Sequence, residues 1–338
     1  MRKPGHDWQV RYRVVNKVTV RACANIALCK YWGKRGPGNA PATPSIGLAL
    51  DALSTETTVT RQARSDQVRL NDKPLRGQAR QRMLDYLQLW RDRGLLQSNF
   101  HIESRNNFPT AAGLASSSAG FAALATALDR MTGQQTCMRT LTRMARQGSG
   151  SAARSIYGGV VALAATADPA VQWLAPADDV PWGMVVAVVE APAKATGSRA
   201  GMEQSRLTSP YYGSWLEVAR RDYRKMRVAL KRWDLTATGE LMEANMLAMH
   251  ACMLATRPPL VYWSAATLAV LHAVRGWRKG GLQVYATTDA GPHVALLCRR
   301  EDLAVVVKQV RALMRQGVGV VDVIKANPGG PAAVISVA

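Results

Sequence analysis

The chain has 338 residues, 48% of them hydrophobic, and carries 44 Lys or Arg against 23 Asp or Glu, a formal net charge of +21. That apolar content excludes a disordered tail or a small stapled scaffold, and the length suits about two domains or one two-lobed unit. The charge asks for an anionic partner, yet the bases run from Arg2 to Lys325 with only doublets such as Lys34-Arg35, Arg220-Arg221 and Arg299-Arg300, which is not the clustered face of a nucleic-acid binder.

Met1 to Tyr12 is polar and has no apolar run, so no secretory leader is expected. Val18–Ala27 and Ile46–Thr60 are rich in small and β-branched residues and predict strands on either side of a Gly/Pro/Asn loop, Gly36 to Pro44. Arg76 to Trp90 has helical apolar spacing, and Phe100–Ser104 predicts a short strand. Asn106 to Leu128 is the longest uncharged stretch, but its Asn pair, Pro and Ala/Ser/Gly content predict a loop entering a buried helix from Ala115 to Met131, not a membrane span. A helix over Met138 to Arg146, a Gly/Ser turn and a strand Gly159–Ala165 follow.

Asp168 to Pro181 reads as the connection towards a second lobe, and Val185–Val189 as a buried strand. Ala191 to Pro210 is loop-like. Helices are expected at Trp215–Trp233, Ala237–Ala255 and Tyr262–Trp277, with Pro258-Pro259 between the last two. Strands Leu282–Thr287 and His293–Leu297, a helix Ala304–Arg315 and strands Val318–Ile324 and Ala333–Val337 complete the chain. Strands and helices mixed through both halves give an α/β or α+β two-lobed protein, divided as 1–182 and 183–338. The five Cys are odd in number and widely spaced, without C-x-x-C or Cys/His ligand spacing. Zinc and a disulfide framework are therefore not expected, and a reducing, cytoplasmic setting is.

Four segments carry candidate chemistry. Pro109 to Ala119 is a small-residue loop running into a helix N-terminus. Such a loop is either a phosphate cradle built from free N–H groups, the helix dipole and hydroxyls, or an ordinary Ser-capped helix start. Gly148 to Ser155 fits G-x-G-x-x-A by count but follows a helix, where the dinucleotide fingerprint needs a preceding strand. Its Ser residues and Arg154 suit an anion site or a solvated turn. Asn25 to Arg35 sets two Lys beside two aromatics, a surface patch or a pocket mouth. Thr287 to His293 holds Asp289 in a tight loop, a turn former by default and a general base only if the other segments converge on it.

Taken together and in order, these segments resemble the mevalonate diphosphate decarboxylases, a branch of the GHMP kinase superfamily. Asn25 to Lys34 is similar to N-I-A-x-x-K-Y-W-G-K, Asn107 to Ala119 to N-F-P-T-A-A-G-L-A-S-S, Ser149 to Arg154 to S-G-S-A-C-R, and Thr288 to Pro292 to the D-A-G-P loop. Weaker likenesses sit at Ser198 to Met202 and Glu243 to His250. The resemblance implies a GHMP-kinase-like fold of two lobes facing a cleft. It also implies ATP and Mg²⁺ as cofactors, a phosphorylated mevalonate as substrate and a possible homodimer. The implied reaction is phosphorylation of the 3-hydroxyl of mevalonate 5-diphosphate, followed by loss of phosphate and CO2. A decarboxylase acting on the 5-phosphate, or a kinase that stops at the 3-phosphate, would share these motifs.

By that resemblance Asp289 takes the 3-hydroxyl proton and Lys30 keeps it ionised. Asn25, Tyr31, Lys34, Ser149, Ser151, Arg154, Ser198 and Arg199 bind the substrate. Asn107, Pro109, Ala112, Gly113, Leu114, Ser116 and Ser117 bind ATP, with no metal-ligating residue of the protein's own. Ala153, His293, Pro44 and Gly47 depart from the family pattern around the cleft.

Overall fold

In the computed structural model, residues 15–36, 38–62, 64–108, 116–134, 136–166, 169–190 and 195–338 are described. The long strands Lys17–Cys29 and Ser45–Gln62 pair antiparallel over most of their length and form the centre of an eight-stranded sheet. Asn99–Asn106 adds to the second of them, and Gln67–Leu70 adds to that in parallel. Val160–Leu163 pairs with the start of Ser45–Gln62, and Val171–Ala175 lies outside it.

Helix Ser116–Thr132 lies against this sheet. Its Ala-rich stretch Phe121 to Leu128 packs on Val18, Val20, Ala22, Val59 and Ile102, small side chains letting the helix come close. The second sheet is four-stranded and antiparallel, in the order Val284–Thr287, Val294–Arg299, Trp182–Val189, Val320–Ala326. Trp182–Val189 is buried on both faces, which is why it reads as an unbroken apolar run. Met184 and Val186 face the core shared with the first sheet, while Val185 and Ala187 pack with Val270, Val274, Val306 and Val310 of helices Ala265–Lys279 and Leu303–Arg315.

The shared core joins Ile26, Leu28, Leu48 and Leu50 to Met226, Met242, Tyr285 and Leu297. The chain end sews the two sheets together. Asn327 O accepts from Asp51 N, Gly329 N donates to Ala49 O, and Ala333–Val337 pairs with Lys17–Cys29.

Most expected elements form within a few residues of their expected limits, and three do not. Ala191 to Pro210 was expected as loop, but Ser198–Thr208 is an 11-residue helix whose Ser, Gly and Thr content hides the inward face made by Gly201, Met202 and Ser205. The connection after Asp168 holds an edge strand, Val171–Ala175, with Gln172 and Trp173 exposed and hence no buried alternation to read. The Gly/Ser turn after Gly148 contains a short helical turn, Ala152–Ser155, that buries Arg154. No helix among the described residues is long and apolar enough to cross a membrane.

Candidate active site

Residues from both sheets and their helices meet around a cavity of about 520 Å³. Lys30 follows directly on strand Lys17–Cys29 and is 1% exposed. Its Nζ donates to Asp289 Oδ1 at 2.6 Å, while its backbone N–H donates to Asn245 Oδ1 at 2.8 Å. Asn245 in turn donates to Asp222 Oδ2, so two helices, Leu235–Leu254 and Tyr212–Lys231, fix the segment that carries the ammonium. Burial pushes the Lys30 pKa down from its ordinary value and the Asp289 carboxylate opposes that shift.

Asp289 lies in the loop between Val284–Thr287 and Val294–Arg299, its side chain 26% exposed to the cavity. Neighbouring Thr288 accepts from Trp263 Nε1 at 2.9 Å and lies 2.8 Å from His250 Nε2. An indole only donates, so the hydroxyl proton is left for His250. Burial pushes the His250 pKa down to about 3, keeping the ring neutral as that acceptor, and it stacks on Trp263 at 4.3 Å between centroids. At the other end of the loop, Val189 N–H donates to His293 Nδ1, which anchors the loop to the central strand of the second sheet.

Arg154 is 2% exposed and its two acceptors are neutral: Nε donates to Asn25 Oδ1 at 2.9 Å and Nη1 to Ser45 Oγ at 2.6 Å. Asn25 donates onward to Ser155 Oγ and Ser151 O, which leaves its amide only one orientation. Burial lowers the Arg154 pKa to about 10. Gly47 leaves room for this pair, because a Cβ on the same backbone would lie 2.7 Å from Arg154 Nε and 2.8 Å from Asn25 Oδ1. Gly150 is equally constrained, since a Cβ there would overlap the Tyr31 ring and hydroxyl. Ser117 Oγ lies 3.1 Å from Ser149 Oγ, which lies 3.4 Å from Ser151 Oγ, giving a row of hydroxyls beside the start of helix Ser116–Thr132.

Twelve of the residues expected at the site line this one cavity: Asn25, Lys30, Tyr31, Lys34, Ser116, Ser117, Ser149, Ser151, Arg154, Ser198, Arg199 and Asp289. Asn107 is not among the lining residues. It accepts from Ser54 N and donates to Ala52 O, tying the end of one strand to the next. Pro109, Ala112, Gly113 and Leu114 lie outside the described residues. Arg82, which no motif marks, also lines the cavity from helix Gly77–Arg91. It donates to Gly148 O at 2.6 Å and sits 4.8 Å over the Phe121 ring, and burial beside Arg199 lowers its pKa to about 10. The lining thus sets Lys30, Lys34, Arg82, Arg154 and Arg199 against one carboxylate, Asp289. A cavity so charged fits a polyanion carrying one proton to be removed.

Comparison with known proteins agrees in both halves of the chain. The diphosphomevalonate decarboxylase-like N-terminal domain matches residues 22–172, and the mevalonate 5-diphosphate decarboxylase C-terminal domain matches residues 184–332. The diphosphomevalonate decarboxylase of Schizosaccharomyces pombe is 33% identical over 331 residues, covering 90% of this chain and 84% of the relative. The mevalonate diphosphate decarboxylase structure from Staphylococcus aureus superposes with a TM-score of 0.87 at 33% identity, over 95% of this chain and 98% of that one. A related structure in complex with MVAPP, AMPPCP and magnesium gives a TM-score of 0.87 at 34% identity, over 95% and 99% of the two chains. The fold is therefore the GHMP-kinase-like fold of those enzymes, and the chain belongs to the diphosphomevalonate decarboxylase family.

Proposed function

We propose that the protein converts mevalonate 5-diphosphate and ATP to isopentenyl diphosphate, ADP, phosphate and CO2. The observation that carries this reading is the Lys30–Asp289 pair, 2.6 Å apart, on the wall of a cavity otherwise lined by cations and hydroxyls. A tertiary alcohol is a poor nucleophile and needs a positioned base. Asp289 takes the proton of the 3-hydroxyl, whose oxygen attacks the γ-phosphorus of ATP as the bond to ADP breaks. The C3–O bond then breaks with its electron pair leaving on phosphate. The electrons of the bond between C2 and the carboxylate become the C2–C3 double bond, releasing CO2. Once that proton has passed to the departing phosphate, the Asp289 carboxylate, paired with Lys30, also faces the positive charge developing at C3.

Arg154, Arg199, Lys34, Tyr31, Ser149, Ser151, Asn25 and Ser198 grip the substrate's phosphates and carboxylate. The nucleotide fits the start of helix Ser116–Thr132, where Ser116 and Ser117 also line a recess of about 170 Å³ walled by Val68, Leu70, Leu75 and Phe121. That recess suits the adenine base, and the segment carrying Pro109, Ala112, Gly113 and Leu114 joins Asn107 to this helix in sequence. Magnesium arrives with ATP. Phosphate oxygens would hold most of its coordination, and the Ser116 and Ser117 hydroxyls lie where they would add to it. We divide the chain into lobes at 182/183, each supplying one side of the site. A cytoplasmic setting fits the five free cysteines.

The test supplies ATP and Mg²⁺ with either mevalonate 5-diphosphate or mevalonate 5-phosphate. ADP should appear far faster with the diphosphate. A preference for the monophosphate, or no ADP from either, overturns the assignment.

A further inference from the structure

Three of the substrate-gripping residues converge on one that no motif marks, Asn39. It is 6% exposed and holds the left-handed φ of 56°, a conformation Asn tolerates better than most residues. Its Nδ2 donates to Arg146 O at 3.1 Å and Gln147 O at 2.7 Å, carbonyls in the last turn of helix Met138–Gly148 that the helix itself leaves unsatisfied. Those two carbonyls fix the amide's orientation, so Oδ1 must point the other way. There it accepts from Lys34 Nζ at 2.7 Å and Arg199 Nη2 at 3.2 Å. The backbone carbonyl of Asn39 accepts from the Tyr31 hydroxyl at 2.9 Å. A loop residue, a helix residue and an aromatic are thus tied to one small amide, itself anchored on a helix end.

The acceptor's neutrality matters as much as its position. A carboxylate there would pair with Lys34 and Arg199 and compete with any anionic ligand; an amide orients both cations and leaves their charge uncompensated. We propose that Asn39 is the positioning residue of the phosphate-binding end, holding Tyr31, Lys34 and Arg199 around the substrate's diphosphate without neutralising them. The inference rests on the substrate reading above.

Lys34 gives it a measurable signature. Burial, together with Arg199 from helix Ser198–Thr208 and Arg82 from helix Gly77–Arg91, lowers the Lys34 pKa to about 7. An anion reverses that shift, so binding above pH 7 takes up a proton, and affinity falls as pH rises through the free protein's Lys34 pKa.

The experiment measures inorganic pyrophosphate binding by calorimetry between pH 6 and 9 in buffers of differing ionisation heat, for the wild type, Asn39→Asp and Asn39→Gly. Both variants tolerate the left-handed backbone, and thermal melts check their folding. The ligand's own titration is common to all three and drops out of the comparison. Wild type should bind with proton uptake centred near pH 7–8. Asn39→Asp should bind about tenfold more weakly at pH 7, with the uptake displaced to higher pH because the carboxylate holds Lys34 charged. Asn39→Gly should weaken binding yet keep the uptake near its wild-type pH. With mevalonate diphosphate, Asn39→Asp should raise KM and leave kcat nearly unchanged. Equal affinity and equal proton uptake in all three proteins overturns the proposal. So does equal weakening of both variants with uptake unmoved, which would make Asn39 only a helix cap. Pyrophosphate binding that follows the expected pattern in a protein that does not turn over mevalonate diphosphate would count against the substrate reading and leave the role of Asn39 standing.

Discussion

Asp289→Asn should lower kcat on the order of a thousandfold, the scale of losing a positioned general base. The substitution keeps the side chain's size and the loop bond between Gly291 N and Asp289 O, so the lost group is the proton acceptor alone. On the proposed assignment ATP sits elsewhere, against Ser116, Ser117 and the adjoining recess, so its affinity in a nucleotide titration should stay within a few-fold of wild type. The change also strips Lys30 of its counter-charge. Burial already lowers the Lys30 pKa, and without Asp289 it falls further. In the folded variant Lys30 then gives up its proton at lower pH than in the unfolded chain. Unfolding takes up a proton across that widened window, so stability should rise with pH there more than in wild type. A variant retaining a tenth or more of the wild-type rate would remove Asp289 as the base.

Arg154→Lys should raise KM for mevalonate diphosphate about ten- to hundredfold, the loss of one charge-assisted hydrogen bond at roughly 1.5–3 kcal/mol. The positive charge survives but the fork does not. The guanidinium reaches Asn25 and Ser45 through two separate nitrogens while lining the cavity, and an ammonium cannot reproduce that planar span. Asn25 Oδ1 and Ser45 Oγ are then left short of a donor inside the wall, so a modest loss of thermal stability should accompany the change. Steady-state kinetics with saturating ATP reads the first effect and a melt reads the second. An unchanged KM would take Arg154 out of the substrate site.

Much of the candidate site is legible in the sequence because the cavity-lining residues sit in short contiguous runs. Asn25 to Lys34 delivers Asn25, Lys30, Tyr31 and Lys34 from one strand end, and Ser149 to Arg154 delivers three more from one turn. Arg82 and Asn39 were not legible as parts of the candidate site, and Thr288 stood in a motif without a role of its own, for different reasons. Arg82 is one basic residue on an ordinary amphipathic helix, and only the fold turns it inward. Asn39 stands in a Gly/Pro loop where Asn usually signals a turn, and its partners are 5 and 160 residues away along the chain. Thr288 becomes notable only when helix Leu235–Leu254 brings His250, and the segment before helix Ala265–Lys279 brings Trp263, onto its hydroxyl. Among the elements, the helix Ser198–Thr208 was hidden by small polar residues that pack against Trp32: Gly201 admits the ring and Ser205 accepts from its indole N–H. The net charge is the weakest of the sequence signals, since five bases of 44 line the cavity.

On the proposed function, one cavity both phosphorylates the 3-hydroxyl and drives decarboxylation. Supplying mevalonate diphosphate labelled in its carboxylate, with ATP and Mg²⁺, and counting labelled CO2 against ADP tests it directly. The two products should appear in equal amounts and at equal rates throughout the time course. ADP formed without CO2, with a 3-phosphorylated product accumulating, would contradict the account and leave a kinase.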